Sequence, residues 1–508
     1  MNGKDAVSYI DSFQWQAHAP GLERIRALLG QLGDPQQQLR FVHVAGTNGK
    51  GSVCACLASV LRAAGYRVGL CTSPFLEDFR ERIQVDGEWI SPEDLGALTE
   101  QVRPVAEAMP DHPTEFELIT AVAMLYFRQC RCDIVVLEVG LGGGLDASNV
   151  IDVPEAAVIT AMGMDHAAIL GPTLADIAAA KAGIIKPGGA VVSCGGCPEA
   201  DDVIRRRCRE QGAALTEVDF TRLQVRRTDL TGTELDFAPY EGLRLPLVGL
   251  YQSRNAAVAI TAVEVLRQKG WNISDEALRQ GLSAVRWPGR LEVLRQADPV
   301  ILRDGAHNAH GMAATTESLK ALFPGKKLVI LMGVMADKDV EDMLELLSPI
   351  AEAVVTVRPD SPRAMGRRNW RTGCGAGAFP PAPAKAWRRE CGSPPWRRVR
   401  AAWYAPWGPS IWRRMCAGRR RRCKQLYRGR SGAGGFSRMY PKSEERQADH
   451  PAGWPAFLRP WRERVPQMSR IFDVQKTSAV CLQFIYIHPL TMVCAGGKLT
   501  LALRRKEC

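Results

Sequence analysis

The sequence lacks any apolar run close to the ~20 residues that a membrane-spanning helix needs. Its first segment, MNGKDAVSYIDSF, also lacks the apolar stretch of a secretory signal. These two absences lead us to expect a cytoplasmic protein. Of the 508 residues, 46% are apolar and 24% are charged, which is typical of a folded globular chain and excludes wholesale disorder. The length predicts about two to four domains.

A second cysteine pair at metal-ligand spacing is missing as well. Cys194 and Cys197 are spaced as in a CxxC motif, but no thioredoxin-like context surrounds them. A structural zinc site would need a further pair of ligands. We therefore interpret the cysteines before residue 366 as reduced, structural thiols.

Positive charge is scarce in most of the chain and concentrated at its end. Residues 1–365 contain 36 Lys and Arg against 47 Asp and Glu, a net charge of −11. Residues 366–508 contain 30 Lys and Arg against 7 Asp and Glu, a net charge of +23. This final part also holds 8 of the 12 tryptophans and shows no sustained periodicity. The chain therefore joins two unrelated compositions near residue 365.

Short apolar segments alternate with helical patterns in the first part of the chain. Strand patterns occur at 41–45, 67–71, 133–139, 156–161 and 190–193, and helical patterns at 52–64, 117–129, 173–182, 253–269 and 274–284. Residues 220–245 alternate as an antiparallel hairpin does. Continuous apolar strands between helices predict an α/β domain with a mostly parallel, buried sheet.

The tripeptide Trp-Pro-Gly at 287–289 interrupts this pattern and marks a domain boundary. After it, further strand patterns with helices between them predict a second, smaller α/β (Rossmann-like) domain. This pattern stops near residue 365, so we expect the second domain to be truncated. The predicted division is a P-loop domain at 1–287, a partial α/β domain at 288–365 and a basic segment, disordered or unrelated, at 366–508.

The most informative segment is VHVAGTNGKGSV at residues 42–53. A strand enters, a glycine-rich turn follows and a helix leaves, so backbone N–H groups and the helix N-terminus converge on an anion site. Lys50 adds a full positive charge for the β/γ-phosphates of a nucleotide, and Ser52 can reach Mg²⁺. Val44 and Gly51 depart from the standard P-loop pattern, and a bare strand-to-helix turn is the alternative. The nucleotide-binding residues predicted from this segment are Thr47, Asn48, Gly49, Lys50, Gly51 and Ser52.

Six motifs, in order, resemble one known family. They are GTNGKGS (46–52), TSPFL (72–76), EVGLGGGLDASN (138–149), MDH (164–166), KAGII (181–185) and DGAHN (304–308). Together they resemble the folylpolyglutamate synthase/dihydrofolate synthase family of the Mur ligase superfamily, from about Gly21 to about Met365. The resemblance implies a Mur-ligase-type central domain with a P-loop and a second α/β domain.

The resemblance implies a metal site made by Ser52, Ser73, Glu138, His166 and Lys181. Glu138 ends an apolar strand, and ligands bind at the carboxyl edge of the strands in open α/β folds. Oxygen and imidazole donors suit Mg²⁺ bound to nucleotide phosphates. Taken alone, a Glu or a His at such a place is often only a solvated strand end or a structural residue. The superfamily carbamylates the lysine that matches Lys181, and this reaction needs a neutral amine.

The resemblance also implies residues that contact the nucleotide and the acceptor. Asn255, Arg290 and Asp304 match nucleotide-contacting positions, and His307 matches the same interdomain site. The positions that match the acceptor region are Thr114, Glu115, Phe116 and Leu145. Gly144 and Ala167 stand where the family often has Arg and Thr, so we expect an acceptor site that differs in detail.

The implied reaction is ATP-dependent formation of an amide. Phosphorylation of a folate or dihydropteroate carboxylate gives an acyl phosphate, which the amine of L-glutamate attacks. The predicted catalytic residues are Lys50, Lys181, Asp304 and His307, and the last two are the candidates for the general base. ATP and Mg²⁺ are the implied cofactors. We expect a monomer with small-molecule substrates and no membrane or nucleic-acid partner.

Two other functions stay open at this point. A peptidoglycan-type Mur ligase would need an N-terminal domain that binds a UDP-sugar, but only about 40 residues precede the P-loop. A catalytically impaired ligase remnant could instead bind nucleic acid through its basic end, because Arg neutralises phosphates and Trp stacks on bases. We prefer to explain residues 366–508 by a frameshift near codon 365, since their composition is typical of GC-rich DNA read out of frame. A truncated sheet would expose an edge, so we also expect poor solubility.

Overall fold

The computed structural model describes residues 1–13, 20–336 and 338–356, and three short segments at 483–487, 492–495 and 498–501. The first sheet contains β1 (Phe41–Ala45), β2 (Val68–Cys71), β3 (Ile83–Val85), β4 (Glu88–Trp89), β5 (Ile134–Glu138), β6 (Ala156–Ile159), β7 (Ala190–Ser193) and β8 (Ala214–Glu217). Its helices are α1 (Gly3–Asp11), α2 (Glu23–Gln31), α3 (Lys50–Ala63), α4 (Pro92–Ala108), α5 (Glu115–Gln129), α6 (Ala167–Leu170), α7 (Leu174–Ala182) and α8 (Pro198–Glu210).

The first sheet has the strand order β4-β3-β2-β5-β1-β6-β7-β8. The strands from β2 to β8 in this order run parallel, and β3 and β4 add an antiparallel hairpin at one edge. The predicted mostly parallel sheet is confirmed. Carboxyl ends of parallel strands share one edge, so the segments that follow β1, β2, β5 and β6 meet there.

Burial on both faces of the sheet explains why its central strands β1 and β5 are largely apolar. Every residue of β1 and β5 is buried. Val42 and Val44 pack into a core with α3 and with residues 250–285, whereas Phe41 packs into a second core with α1, α2, α4 and α5. Successive residues of β1 therefore face opposite layers of helices, as the alternation of side chains along a strand requires.

Capping residues set the helix starts that hydrophobic periodicity leaves open. The pattern predicts a helix from residue 117, but α5 begins at Glu115 because Thr114 is its N-cap and forms a capping box with Glu117. Thr173 and Asp176 form the same motif at the start of α7. The predicted helices at 52–64 and 173–182 are confirmed within two residues at each end.

An antiparallel sheet and two helices complete the part before residue 287. The sheet has the order β11-β10-β9, with β9 (Leu223–Asp229), β10 (Gly232–Phe237) and β11 (Tyr240–Leu245). It is followed by α9 (Leu250–Gln268) and α10 (Asp275–Ala284). The segment 220–245, predicted as an antiparallel hairpin, thus contains three antiparallel strands.

A second sheet that is joined by helices follows, and it has five strands. Its strands are β12 (Glu292–Arg295), β13 (Val300–Asp304), β14 (Leu328–Met332), β15 (Ala351–Thr356) and β16 (Gln483–Ile487), and its helices are α11 (Ala309–Leu322) and α12 (Val340–Leu347). The order is β12-β13-β16-β14-β15, with β16 antiparallel to both β13 and β14.

The basic segment contributes three described strands, although its sequence shows no periodic pattern. Besides β16, they are β17 (Met492–Ala495) and β18 (Lys498–Leu501), which pair with each other. The predicted frameshift site near codon 365 and the rest of residues 366–508 lie outside the described residues. In the described part of the chain, the helices are too short or too polar to cross a membrane.

Candidate active site

The glycine-rich turn between β1 and α3 is held against the end of β6. Thr47 N and Asn48 N both donate to Ala161 O, at 3.0 and 3.2 Å. A Cβ on Gly46 would lie 1.9 Å from Thr160 Oγ1, so only glycine fits there. The turn therefore exposes the N-terminal end of α3, where backbone N–H groups and the helix dipole favour an anion.

Two lysine side chains converge on one carbonyl of this turn. Lys50 Nζ lies 3.2 Å from Gly46 O, and Lys181 Nζ lies 2.9 Å from the same oxygen. Lys181 is 5% exposed. Burial lowers the pKa of Lys181 to about 7, and the nearby charge of Lys50 acts in the same direction. The structure therefore buries Lys181 beside the P-loop.

A carboxylate and two hydroxyls lie at the same edge of the sheet. Glu138 ends β5, is 4% exposed and accepts a hydrogen bond from Ser73 N at 3.0 Å. Burial raises the pKa of Glu138, and the positive charge of Lys50 opposes this rise. Ser52 is buried in the first turn of α3. These residues are the oxygen-rich part of the predicted metal site.

His166 lies at the start of α6 in the left-handed region, with a φ of 53°. Burial lowers its pKa to about 4, although the Asp165 carboxylate acts in the opposite direction. A neutral imidazole can serve as a metal ligand. In the described part of the chain, no three His, Cys, Asp or Glu side chains form a metal centre by themselves. Any ion here would therefore need hydroxyl or substrate oxygens as well.

Asp165 joins the first sheet to the second part of the chain. Lys338 Nζ donates to its Oδ1 at 2.7 Å, and Asn308 Nδ2 donates to its Oδ2 at 2.8 Å. His307 Nε2 lies 3.6 Å from the same Oδ2. Burial alone would raise the pKa of Asp165, but His307 and Lys338 hold that pKa well below its usual range.

Asn48 of the P-loop makes a second connection of this kind. Its amide lies 3.2 Å from that of Asn308, and its Nδ2 lies 2.8 Å from His310 Nδ1. The predicted nucleotide-binding residue Asn48 therefore contacts the segment that follows β13. The motif DGAHN and the P-loop share one site.

Asp304 uses both carboxylate oxygens within the protein. Its Oδ2 accepts from Leu291 N at 2.8 Å and from Tyr251 Oη at 3.3 Å. Its Oδ1 accepts from Ala306 N at 2.8 Å and from Thr315 Oγ1 at 3.1 Å. This carboxylate is 2% exposed, so the geometry favours a structural role for it over proton transfer.

The other two predicted residues from this region lie beside Asp304. His307 Nδ1 lies 2.9 Å from Gly305 O. Arg290 Nη1 lies 3.2 Å from Gly289 O, and a Cβ on Gly305 would lie 2.1 Å from that nitrogen. Both side chains therefore stand where the segment after β13 approaches the P-loop domain.

The side chains of Asn255 and Trp287 lie against two glycines of the P-loop. Gly49 has a φ of 88°, and a Cβ there would lie 2.4 Å from Asn255 Oδ1. A Cβ on Gly51 would lie 2.5 Å from Trp287 Cζ2. The predicted contact of Asn255 with the nucleotide site is thus compatible with its position.

The predicted acceptor residues differ in how free their side chains are. Thr114 is occupied by the capping box with Glu117. Phe116 Cζ would lie 2.7 Å from a Cβ on Gly140, so this ring covers the glycine-rich segment after β5. Leu145 is 61% exposed in the same segment. We call the apolar surface that Phe116 and Leu145 offer on this segment the apolar wall.

Arg82 is a charged residue of this region that the sequence did not indicate. It is 8% exposed and lies 3.5 Å from the Glu115 carboxylate. Its guanidinium stands over the rings of Phe75 and Phe79, at 5.0 and 5.6 Å. Its Nε has no hydrogen-bond partner among the described residues. A buried Arg with a free donor is suited to an anionic ligand.

The sequence also did not point to Lys338 and Asn308 as residues of the site. Lys338 follows β14 in the run MADKD, at the carboxyl end of a strand. That position is the signal that pointed to Glu138 and His166, and it could have been applied to the second sheet as well.

Comparison with known proteins matches both parts of this arrangement. Residues 44–263 match the family described as "Mur ligase middle domain", and residues 289–387 match "Mur ligase, glutamate ligase domain". The chain is 41% identical over 372 residues to the dihydrofolate synthase/folylpolyglutamate synthase of Bacillus subtilis, which covers 71% of this chain and 86% of that protein. It is 40% identical over 379 residues to the folylpolyglutamate synthase of Lacticaseibacillus casei, covering 72% of this chain and 87% of that protein.

Solved structures of folylpolyglutamate synthases are similar to this chain in fold. The Mycobacterium tuberculosis folylpolyglutamate synthase complexed with ADP superposes with a TM-score of 0.68 at 34% identity, covering 73% of this chain and 85% of that chain. A structure described as an FPGS–AMPPCP–folate complex superposes with a TM-score of 0.67 at 37% identity, covering 78% of this chain and 96% of that chain.

The fold and the P-loop site thus define a Mur-type ligase, an enzyme that forms an amide at the expense of ATP. Within that superfamily, the chain belongs to the folylpolyglutamate synthase/dihydrofolate synthase family.

Proposed function

We propose that this chain adds L-glutamate to the carboxylate of dihydropteroate, of a tetrahydrofolate, or of both. The observation that supports this most directly is the convergence of Lys50 and Lys181 on Gly46 O, beside the buried carboxylate of Glu138. The cationic side chain of Lys50 and a helix N-terminus suit a triphosphate, and the acidic edge suits its counter-ion.

The first step joins an acceptor carboxylate oxygen to the γ-phosphorus of ATP and releases ADP. The resulting acyl phosphate has a good leaving group, which a carboxylate lacks. The α-amine of glutamate then attacks the acyl carbon, and phosphate leaves. Lys50 and the N–H groups at the start of α3 would stabilise the charge that develops on the transferred phosphoryl group.

Mg²⁺ is part of the proposal because the donors at the sheet edge fit a hard cation. Ser52, Ser73 and Glu138 offer oxygens, and His166 offers a neutral imidazole nitrogen. When bound, the ion would neutralise charge on the phosphates. The residues of the chain would hold the triphosphate and the acceptor in place around it.

Lys181 is proposed to carry a carbamate, which would turn it into an oxygen donor. The reaction of an amine with CO₂ requires the neutral form, and a pKa near 7 makes that form abundant at neutral pH. Protein incubated with ¹³C-bicarbonate should show a carbamate carbon signal by NMR that Lys181→Met lacks. An identical spectrum for the two proteins would contradict this assignment.

The general base is assigned to His307 rather than Asp304. His307 Nδ1 lies 2.9 Å from Gly305 O, which leaves Nε2 as the ring nitrogen that would take the proton of the glutamate amine. The Asp165 carboxylate, 3.6 Å from Nε2, would stabilise the ring once it has taken that proton. Asp304 already accepts from Leu291, Tyr251 and other groups, and we assign it a positioning role. His307→Gln should lower kcat by about 100-fold, within the usual range for general-base catalysis. A loss confined to the KM for ATP would instead assign His307 to nucleotide binding.

The acceptor is proposed to lie between the apolar wall and Arg82. Phe116 and Leu145 would contact a flat aromatic ring, while the free Nε of Arg82 would face an anionic group. Thr114 and Glu115 would act indirectly, through the start of α5 and through Arg82.

Release of phosphate from ATP tests the activity. The full chain should release phosphate only when glutamate and a pteroate-type acceptor are both present, and mass spectrometry should find one added glutamate in the product. Separate reactions with dihydropteroate and tetrahydrofolate decide which acceptor is used. No turnover with either one would favour the impaired ligase remnant.

The domain division also remains a proposal, with domains at 1–287 and 288–365 and a basic segment at 366–508, whose described strand β16 pairs with β13 and β14. Resequencing the coding DNA across codons 355–380 tests the frameshift. A single inserted or deleted base that restores a strand-and-helix pattern would support it, and an unchanged reading would contradict it. We further propose that the protein is a cytoplasmic monomer, which light scattering and cell fractionation would check.

A further inference from the structure

A fully buried histidine in the central strand has no role in the reaction described above. His43 lies in the middle of β1 and is 0% exposed, between the apolar core residues Val42 and Val44. Burial lowers its pKa to about 3, with the charge of Lys186 adding to the effect, so the ring is neutral. A buried polar ring is costly unless it is hydrogen-bonded. Its Nε2 lies 2.9 Å from Ser148 Oγ.

The direction of this hydrogen bond follows from counting protons. Ser148 Oγ also contacts Asp146 Oδ1, which accepts as a carboxylate oxygen. The hydroxyl has one proton and donates it to Asp146, so only its lone pairs remain for the histidine. His43 Nε2 must therefore carry the hydrogen. His43 Nδ1 is then a bare acceptor, and it has no partner among the described residues.

Asp146, which accepts the hydrogen bond from Ser148, organises the glycine-rich loop at residues 140–146. Its Oδ2 accepts from Leu141 N at 2.8 Å, and its Oδ1 accepts from Ser148 N at 3.0 Å. Its own N–H donates to Gly143 O at 3.1 Å. The carboxylate thus ties both ends of the loop together.

The glycine-rich loop in turn touches both sides of the candidate active site. Gly144 N donates to Ala180 O at 2.9 Å, and a Cβ on Gly143 would lie 2.8 Å from Lys181 O. At the other end, Phe116 packs against Gly140. A displaced loop would therefore shift the acceptor wall and the helix that carries Lys181.

We propose that His43 is a positioning residue for the acceptor. Its Nε2–H holds the Ser148 hydroxyl on Asp146, and this fixes the glycine-rich loop against Phe116 and Lys181. The inference rests on the proposed function, because it assumes that the acceptor binds beside this loop.

Kinetics on four variants test the proposal. His43→Leu removes the donor and should raise the KM for the pteroate acceptor about ten-fold, with the KM for ATP changed less than about two-fold. His43→Gln can place an amide N–H at the position of Nε2 and should restore most of the affinity. Ser148→Ala should match His43→Leu. The double variant His43→Leu/Ser148→Ala should have an acceptor KM no higher than that of either single variant, because both substitutions break the same hydrogen bond.

Val42→Ala is the matched control for loss of core packing. It removes methyl groups from the same strand and should lower the thermal stability without raising the KM for the acceptor. An acceptor KM that rises equally in Val42→Ala, or a His43→Gln variant as impaired as His43→Leu, would overturn the proposal.

Hydrogen exchange separates this inference from the proposed function, because it needs no turnover. His43→Leu should speed amide exchange in peptides covering 140–149, and His43→Gln and Val42→Ala should not. Unchanged exchange in His43→Leu overturns the inference even if the enzyme is active. Faster exchange in a chain that turns over no substrate would support the positioning contact and count against the proposed reaction.

Discussion

Burial sets the protonation state of several single residues in and around the site. Lys181 and His43 both have lowered pKa values, because each side chain lies where the charged form loses its hydration. Lys50, at the P-loop, is proposed to supply the positive charge that the phosphates of ATP need. Single substitutions at these positions therefore separate charge effects from packing effects.

Lys50→Met removes the charge while keeping an unbranched side chain at the start of α3. We expect turnover to fall at least about 100-fold, as for other groups that stabilise charge in the transition state. Phosphate release with saturating substrates measures it. Lys326→Met, at an exposed position of the second part of the chain, is the control and should retain full activity. Equal activity of the two variants would remove Lys50 from the mechanism.

His43→Gln also changes the pH dependence of stability. The folded pKa of His43 is about 3, whereas a histidine in the unfolded chain titrates near 6.5, so the unfolded state binds more protons between these values. Stability due to this group is therefore lost as the pH falls below about 6.5. Between pH 7 and pH 5, we expect native protein to lose about 2 kcal/mol more than His43→Gln.

Urea unfolding of both proteins at pH 8, 7 and 5 measures this difference. Between pH 8 and pH 7 the two free energies of unfolding should stay almost a constant distance apart, because His43 scarcely titrates there. Parallel curves over the whole range would show that burial does not lower the pKa of His43.

The turn between β1 and α3 is the element to which the proposed function assigns nucleotide binding. Gly49 has a φ of 88° and lies against Asn255, whereas Gly65, just after α3, has a φ of 89° with nothing within 4 Å of a Cβ. Gly49→Ala and Gly65→Ala should carry a similar backbone strain of about 1–2 kcal/mol. Only Gly49→Ala should also displace Asn255 and raise the KM for ATP.

Thermal unfolding and the KM for ATP, measured on both variants, separate the two effects. Gly65→Ala should lower the melting temperature and leave the KM for ATP unchanged. A comparable rise in this KM for both variants would mean that backbone strain alone, and not contact with Asn255, is responsible.

Local sequence rules predicted those features whose causes are local. The P-loop, Glu138 and His166 each follow a strand of a parallel sheet, and strand ends can be read from apolar runs. The capping role of Thr114 was missed because the resemblance assigned that position to the acceptor. The contact of Lys338 with Asp165 could not be predicted, because the two residues are far apart in sequence and no motif joins them.

At the scale of the whole molecule, polar contacts connect the P-loop domain with the second α/β part. Lys338→Met breaks the contact with Asp165 and leaves that carboxylate, 10% exposed, without its cation. We expect kcat to fall about ten-fold, because the arrangement that brings both parts together becomes less populated. Steady-state turnover measures this effect.

Lys327→Met is the matched control, since Lys327 is exposed on the same part of the chain and, among the described residues, donates only to Pro349 O. It should keep kcat within about two-fold of the native value. This value shows how much kcat changes when a surface lysine without the Asp165 contact is removed. A Lys338→Met variant that behaves like this control would show that the contact is dispensable.

The place of β16 in the second sheet has a consequence for the order of folding. β16 lies between β13 and β14, although it comes later in the chain than every other strand of that sheet. A ribosome releases β13 and β14 well before it releases residue 487, so their shared neighbour is absent while the intervening residues are synthesised. Pairing over such a sequence separation is also slow. The P-loop domain can therefore fold while the chain is still growing, and the second sheet closes only after residue 487 has been released.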